Sequence, residues 1–130
     1  MAKILVVEDD GIMRELVALH LTIAGHAVQT AEDGVTGEEA VRKGRPALII
    51  SDVHMPNKDG FEFVENLRND ADTTIREIPV IFLTSVADGK AKGMELGAVA
   101  YLSKPLMAES LLSLVAANVA RRSAAIGEAR

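Results

Sequence analysis

With 130 residues, 48% of them apolar and 25% charged, the chain is sized for one domain with its own core and has no room for two. Aromatic residues make up only 3%, so that core is aliphatic, and the absence of cysteine excludes a disulfide scaffold, a thiolate metal site and a cysteine nucleophile. A net charge of −5 with no basic stripe argues against binding phosphate backbones by counterion release, and no direct nucleic-acid partner is expected.

The N-terminal Met1-Ala2-Lys3 leads straight into the apolar run Ile4–Val7, with no space for a charged region and a longer apolar stretch. Neither a signal peptide nor a membrane span is expected, and the expected location is the cytoplasm. Ile12, Leu16, Leu19 and Ile23, with Met13 and Val17 beside them, form a broad apolar helical face that stops at Gly25. His26–Ala31 alternates weakly as a strand. Thr36 with Glu39 resembles a capping box that opens a second helix, closed by Gly44 and Pro46. After the run Ala47–Ile50, Asp59 with Glu62 opens a third helix carrying Phe61, Val64 and Leu67, and Asn69–Glu77 reads as an extended surface loop. Val80–Leu83 is the next strand, Asp88 caps a short helix ending near Gly97, and Ala98–Leu102 is the last strand. A fifth helix carries Leu111, Leu112, Val115 and Val119, and Ser123–Arg130 reads as a fraying tail. The strongest runs are apolar throughout, as strands covered on both faces are, and five strand-helix alternations predict a doubly wound α/β sheet.

In such a sheet the carboxyl ends of the strands share one edge, where ligands bind at the switch point. The runs end in Glu8-Asp9-Asp10, Ser51-Asp52, Thr84-Ser85 and Ser103-Lys104, so carboxylates, hydroxyls and one ammonium converge there. Crowded carboxylates raise one another's pKa unless a cation neutralises them, and oxygen donors suit Mg²⁺, with Mn²⁺ as its substitute. Taken singly, an acidic residue after a strand is most often a cap or a solvated loop residue, and Asp10, Asp33, Asp59 and Asp88 are read that way. The coincidence of Glu8, Asp9, Asp52, Thr84 and Lys104 at separate strand ends is not explained by capping.

Four segments carry a resemblance to the receiver domains of bacterial response regulators, of the chemotaxis-regulator type: Ile4 to Asp10, Ser51 to Gly60, Ile78 to Ser85, and Gly97 to Pro105. In their order and spacing they span about Lys3 to Val119. The resemblance implies a five-stranded parallel sheet of order 2-1-3-4-5 with five helices, a receiver domain over residues 1–122, and a tail or linker over 123–130. It implies that Asp52 is the phospho-acceptor, and that Asp9, Asp52 and the backbone carbonyl of His54 ligate Mg²⁺, with Glu8 acting through metal-bound water. Thr84 and Lys104 would contact phosphoryl oxygens, Tyr101 would be a switch residue together with Thr84, and Lys104-Pro105 would be cis. Such a protein catalyses its own phosphorylation and dephosphorylation without being a conventional enzyme.

The implied partners are a histidine kinase or histidine phosphotransfer protein, docking over Ile12, Met13 and Leu106, and a downstream protein or a phosphorylation-dependent homodimer, engaged near Lys90, Lys92, Glu95 and Tyr101. No membrane partner is expected. Leu106 stands where the family often has an aromatic residue and Ala100 where glycine is frequent. The His54 side chain is read as a partly exposed loop residue, and Asp52→Asn is expected to stabilise the metal-free protein by relieving repulsion. A flavodoxin-type binder shares the architecture, but Glu8-Asp9-Asp10 would repel its anionic cofactor. An aspartyl phosphohydrolase would place a second acid where His54 stands, and a receiver-like module that is never phosphorylated would not need the full acid, hydroxyl and lysine set.

Overall fold

The apolar runs form β1 (Lys3–Val7), β2 (Ala27–Ala31), β3 (Leu48–Ser51), β4 (Val80–Thr84) and β5 (Ala100–Ser103), which pair in parallel in the order β2-β1-β3-β4-β5. The computed structural model describes residues 3–105 and 108–128, with side chains described as far as residue 120. Parallel neighbours need long crossovers, and helices supply them: α1 (Gly11–Ile23), α2 (Gly34–Gly44), α3 (Gly60–Arg68), α4 (Thr73–Arg76) and α5 (Lys90–Glu95), followed by α6 (Ala108–Glu128).

Alternation along each strand divides the core into two layers. Ile4, Val6, Leu48, Ile50, Ile81 and Leu83 meet Val17 and Leu21 of α1 and Leu111 and Val115 of α6. Leu5, Val7, Ile49, Val80 and Phe82 meet Val41 of α2, Phe63, Val64 and Leu67 of α3, and Ile75 of α4. Both faces of the sheet are therefore covered, which is why Ile4–Val7, Leu48–Ile50 and Val80–Leu83 are apolar at every position.

The helices start where carboxylates accept their first amides. Asp10 accepts from Ile12 and Met13, and Asp59 from Glu62. At α2 the cap is Asp33, not Thr36: the Asp33 carboxylate accepts from the Thr36 amide at 2.8 Å, and Thr36 Oγ1 accepts from the Asp33 amide at 3.3 Å. The box is reciprocal but sits three residues earlier than Thr36 and Glu39 suggest. Asp88 does not cap α5, whose N-cap is Gly89, with no side-chain cap; a Cβ there would collide with the Tyr101 hydroxyl and lie 2.9 Å from the Phe61 ring. Gly25, at φ +98°, ends α1 as expected.

Two further departures are informative. The stretch expected to be an extended loop contains α4, capped by Asp72 and anchored by the fully buried Ile75 and Ile78. Arg42–Asp70 and Arg45–Asp72 ion pairs tie it to the end of α2, and the Arg68 guanidinium donates to the carbonyls of Leu96, Arg76 and Ile78. On α1, four residues of the expected apolar face point outward, Ile12, Leu16, Leu19 and Ile23 being 83%, 40%, 54% and 76% exposed, while Val17 of that face packs into the core with Leu21. The backbone of α6 runs to Glu128, through the segment read as a tail. Leu106, a proposed docking residue, lies outside the described residues.

Ile75 and Leu19 make opposite predictions. Ile75→Ala should destabilise the protein by about 2–5 kcal/mol in urea titration, whereas Leu19→Ala should stay within about 0.5 kcal/mol of the parent.

Candidate functional site

Register brings the candidate residues to one edge. Val7 lies beside Ser51, so Glu8 and Asp9 leave β1 level with Asp52 leaving β3, and Thr84 lies beside Ser103, the residue before Lys104. The sheet order reverses between β1 and β3, so the crevice opens there. Carboxylate oxygens of Glu8, Asp9 and Asp52 all lie within 4.8 Å of one another; Glu8 and Asp52 are buried and Asp9 is exposed. From the far strand, Lys104 Nζ donates to Glu8 Oε1 and Asp52 Oδ2, both at 2.7 Å. The Lys104-Pro105 peptide is cis, as expected.

The two buried carboxylates are also held by backbone. Asp52 Oδ1 accepts from the Val53 amide at 2.6 Å, and Glu8 Oε2 from the Asp10 amide at 3.3 Å. Arg14 braces the turn from α1 by donating to the Glu8 and Asp9 carbonyls at 2.8 and 3.5 Å. The loop bearing His54 is fastened at its far end: Asn57, left-handed at φ 67°, donates through its amide to Asp33 Oδ2, Gly34 N–H donates to the Lys58 carbonyl, and Lys58 pairs with Glu38. Gly60 N–H returns to the Val53 carbonyl at 2.7 Å, and a Cβ on Gly60 would overlap the Asp52 carbonyl oxygen. The His54 side chain is exposed.

The charge balance follows from this geometry. Burial pushes the Glu8 carboxyl up, the Lys104 hydrogen bond opposes it, and the neighbouring Asp52 charge adds to the rise, leaving Glu8 at about 7. Burial acts the same way on Asp52, but hydrogen bonds from Lys104, Thr84, Glu8 and the Val53 amide outweigh it and hold Asp52 below the usual carboxylate range. Burial works to lower Lys104, and its two carboxylate partners reverse this and raise it. Burial and the Asp52 charge thus hold the Glu8 carboxyl up, while hydrogen bonds hold the Asp52 carboxyl down. One ammonium is too little charge for three carboxylates, and an all-oxygen donor set with one exposed member fits a hard divalent cation such as Mg²⁺.

Thr84 is buried, with Oγ1 accepting from the Val86 amide at 3.2 Å. Tyr101 stands away from the acids, its ring tilted on Phe82 at 5.9 Å and its hydroxyl donating to the Val86 carbonyl. Val86 thus bonds Thr84 through its N–H and Tyr101 through its C=O. Sequence reasoning does not find this link, because backbone groups leave no mark in side-chain identity. Nor does it find Arg14 or Asn57: a basic residue on a first helical turn and an asparagine in a turn are ordinary, and Asp33 reads only as a cap.

A family model for the response regulator receiver domain matches residues 4–116. Among curated relatives, the DNA-binding dual master transcriptional regulator RpaA of Synechocystis sp. is 37% identical over 123 residues, 93% of this chain and 50% of RpaA. Response regulator MprA of Mycobacterium leprae is 37% identical over 122 residues, 92% of this chain and 51% of MprA. The chain thus spans about half the length of the curated relatives it matches. Among solved structures, the chemotaxis response regulator CheY4 of Vibrio cholerae superposes with a TM-score of 0.82 at 37% identity, covering 91% of this chain and 98% of that one. The signal receiver domain of a histidine kinase from Syntrophus aciditrophicus gives 0.83 at 32%, covering 92% and 91%.

The raised Glu8 carboxyl sets a pH dependence. Between its ordinary value of 4.5 and about 7 the folded chain binds more protons at Glu8 than the unfolded chain, so this contribution is complete below about pH 4.5 and is lost as pH rises through about 7. In chelator, unfolding free energy should fall across that window by the order of 1–3 kcal/mol. Glu8→Gln should flatten the slope, and Mg²⁺ should restore stability at pH 7 and above; urea midpoints against pH check both.

Proposed function

This chain belongs to the response regulator receiver domain family, and from that premise we propose that it is the phospho-accepting switch of a two-component phosphorelay, taking a phosphoryl group onto Asp52 from a histidine kinase or histidine phosphotransfer protein. The observation that carries this reading is the setting of Asp52: one oxygen held by the Val53 amide and the other by Lys104, at the crevice edge beside Glu8 and Asp9.

An Asp52 carboxylate oxygen attacks phosphorus in line with the bond to the donor nitrogen, which leaves with its electron pair and is protonated as neutral imidazole. The product is an acyl phosphate, and water attack on the same phosphorus returns the carboxylate. Asp9, Asp52 and the His54 carbonyl would hold Mg²⁺, with Glu8 behind them, and the ion when bound supplies positive charge against the phosphoryl oxygens. Lys104 keeps an ammonium beside Asp52 that can follow charge onto the incoming group, and the Thr84 hydroxyl is placed to donate to it. The chain thereby promotes its own modification and resetting, as a signalling protein and not a turnover catalyst.

A Thr84 hydroxyl drawn toward a phosphoryl oxygen loosens the Val86 amide, and through the Val86 carbonyl it disturbs Tyr101. Tyr101 packs under the short α5, whose Lys90, Lys92 and Glu95 are exposed, and the output partner or second copy engages this face. A small shift in a six-residue helix is enough to change a population. RpaA is named as DNA-binding, but this segment carries net charge −5, and we assign it no direct nucleic-acid contact. Among the described residues, no helix is long and apolar enough to cross a membrane.

With acetyl phosphate and Mg²⁺, intact-protein mass spectrometry should show one added phosphoryl group, absent in Asp52→Asn and in chelator. Lys104→Met should lower the labelling rate by about 10²-fold or more. Labelling of Asp52→Asn to the parent level would overturn the assignment.

A further inference from the structure

Capping α2 uses only one oxygen of the Asp33 side chain. Oδ1 accepts from the Thr36 amide at 2.8 Å and from the Thr36 hydroxyl at 2.9 Å, which completes the cap. Oδ2 reaches away from the helix to the loop after β3, where it accepts from the Asn57 side-chain amide at 2.8 Å. An aspartate is rarely buried without bonded partners, and Asp33 is only 6% exposed, with hydrogen bonds from the Thr36 amide and Asn57 holding its carboxyl below the usual range. Two more bonds join the same elements: Gly34 N–H donates to the Lys58 carbonyl at 3.1 Å, and Lys58 Nζ pairs with Glu38 at 2.7 Å. A Cβ on Gly34 would lie 2.7 Å from the Lys58 carbonyl oxygen, so the loop is pressed directly onto the first turn of α2.

We propose that Asp33 is a positioning residue for the divalent-ion site at Glu8, Asp9 and Asp52, acting through Asn57 on the loop between Asp52 and α3. The inference rests on the reading that this cluster takes Mg²⁺. The loop is fixed at two places. Beside the sheet, the Val53 amide donates to Asp52 Oδ1 at 2.6 Å, and the Val53 carbonyl accepts from the Gly60 amide at 2.7 Å. At the tip, the left-handed Asn57 is held by Asp33 and its neighbour Lys58 by Gly34 and Glu38. The few residues from Val53 to Asn57 thus run between a fixed point at the start of α3 and another on α2. They include the peptide that orients Asp52 and the His54 carbonyl that the reading gives to the ion. Releasing the tip frees this span while Val53 and Gly60 keep the fold closed, so the loss falls on ion affinity, as it does for outer partners of metal ligands.

Calorimetric titration of the 130-residue chain with MgCl₂ in mildly alkaline buffer tests this without any phosphoryl donor. Asp33→Asn keeps a good capping residue, but its amide cannot accept from both Thr36 and Asn57, so one of the two bonds is lost. Its Mg²⁺ affinity should fall by about tenfold. Asn57→Asp sets two carboxylates face to face and should weaken Mg²⁺ binding as well, although its added negative charge taken alone would tighten it. The exchanged pair, Asp33→Asn with Asn57→Asp, restores a donor opposite an acceptor at unchanged net charge, and should return the affinity to within about twofold of the parent. Circular dichroism shows that each variant is folded. If Asp33 only caps α2, Asp33→Asn moves the urea midpoint and leaves Mg²⁺ affinity alone, which overturns the proposal. It is overturned equally by tighter binding in Asn57→Asp, by an exchanged pair as weak as the single variants, or by a parent that binds no Mg²⁺. A parent that binds Mg²⁺ but is not labelled at Asp52 overturns the switch reading and leaves this inference standing.

Discussion

The Lys104 ammonium, bonded at once to Glu8 and Asp52, is the interaction around which the site is organised. Carboxylates from two different strand ends are brought within 4.8 Å with a third beside them, an arrangement that water would not favour and that one cation only partly offsets. The sheet maintains it. β1 and β3 are paired residue for residue up to Val7 and Ser51, and the side chains behind them are fully buried, so neither strand end can retreat without opening the core. The cost is visible at Glu8, whose carboxyl is pushed up to about 7 by burial and by the Asp52 charge against the Lys104 hydrogen bond.

Around that centre the backbone does much of the positioning. Arg14 holds the β1–α1 turn through two carbonyls, while Asp33 and Gly34 hold the loop after β3 through Asn57 and Lys58. Asp33 therefore both caps α2 and anchors the loop after β3, so the start of that helix and the path of the backbone past His54 are tied together. On the opposite side, Val86 gives one backbone group to Thr84 and the other to Tyr101, so movement at the site has a short bonded route to the face of α5 and β5. The exposed apolar face of α1 lies on the other layer of the molecule, packed through Val17 and Leu21, and it is independent of that route.

What was legible in the sequence was whatever depends on chain-local chemistry. Fully apolar runs separated by helical spacing are enough to announce a two-sided parallel sheet, and because such a sheet aligns its strand ends, Glu8, Asp9, Asp52, Thr84 and Lys104 could be named before any coordinates. Only the tertiary structure decided which way equal-looking residues point and which backbone groups meet. Ile12, Leu16, Leu19 and Ile23 share a periodicity with Val17 and Leu21, and the rotation of α1 on the sheet, set by the larger buried contact, chose the latter pair for the core. Ile75 was a single apolar residue in a polar stretch, below the threshold of any periodic signal, until Asp72, Arg42 and Arg45 closed around it. The division of charge between Glu8 and Asp52 likewise depends on distances and burial, which residue identity does not carry.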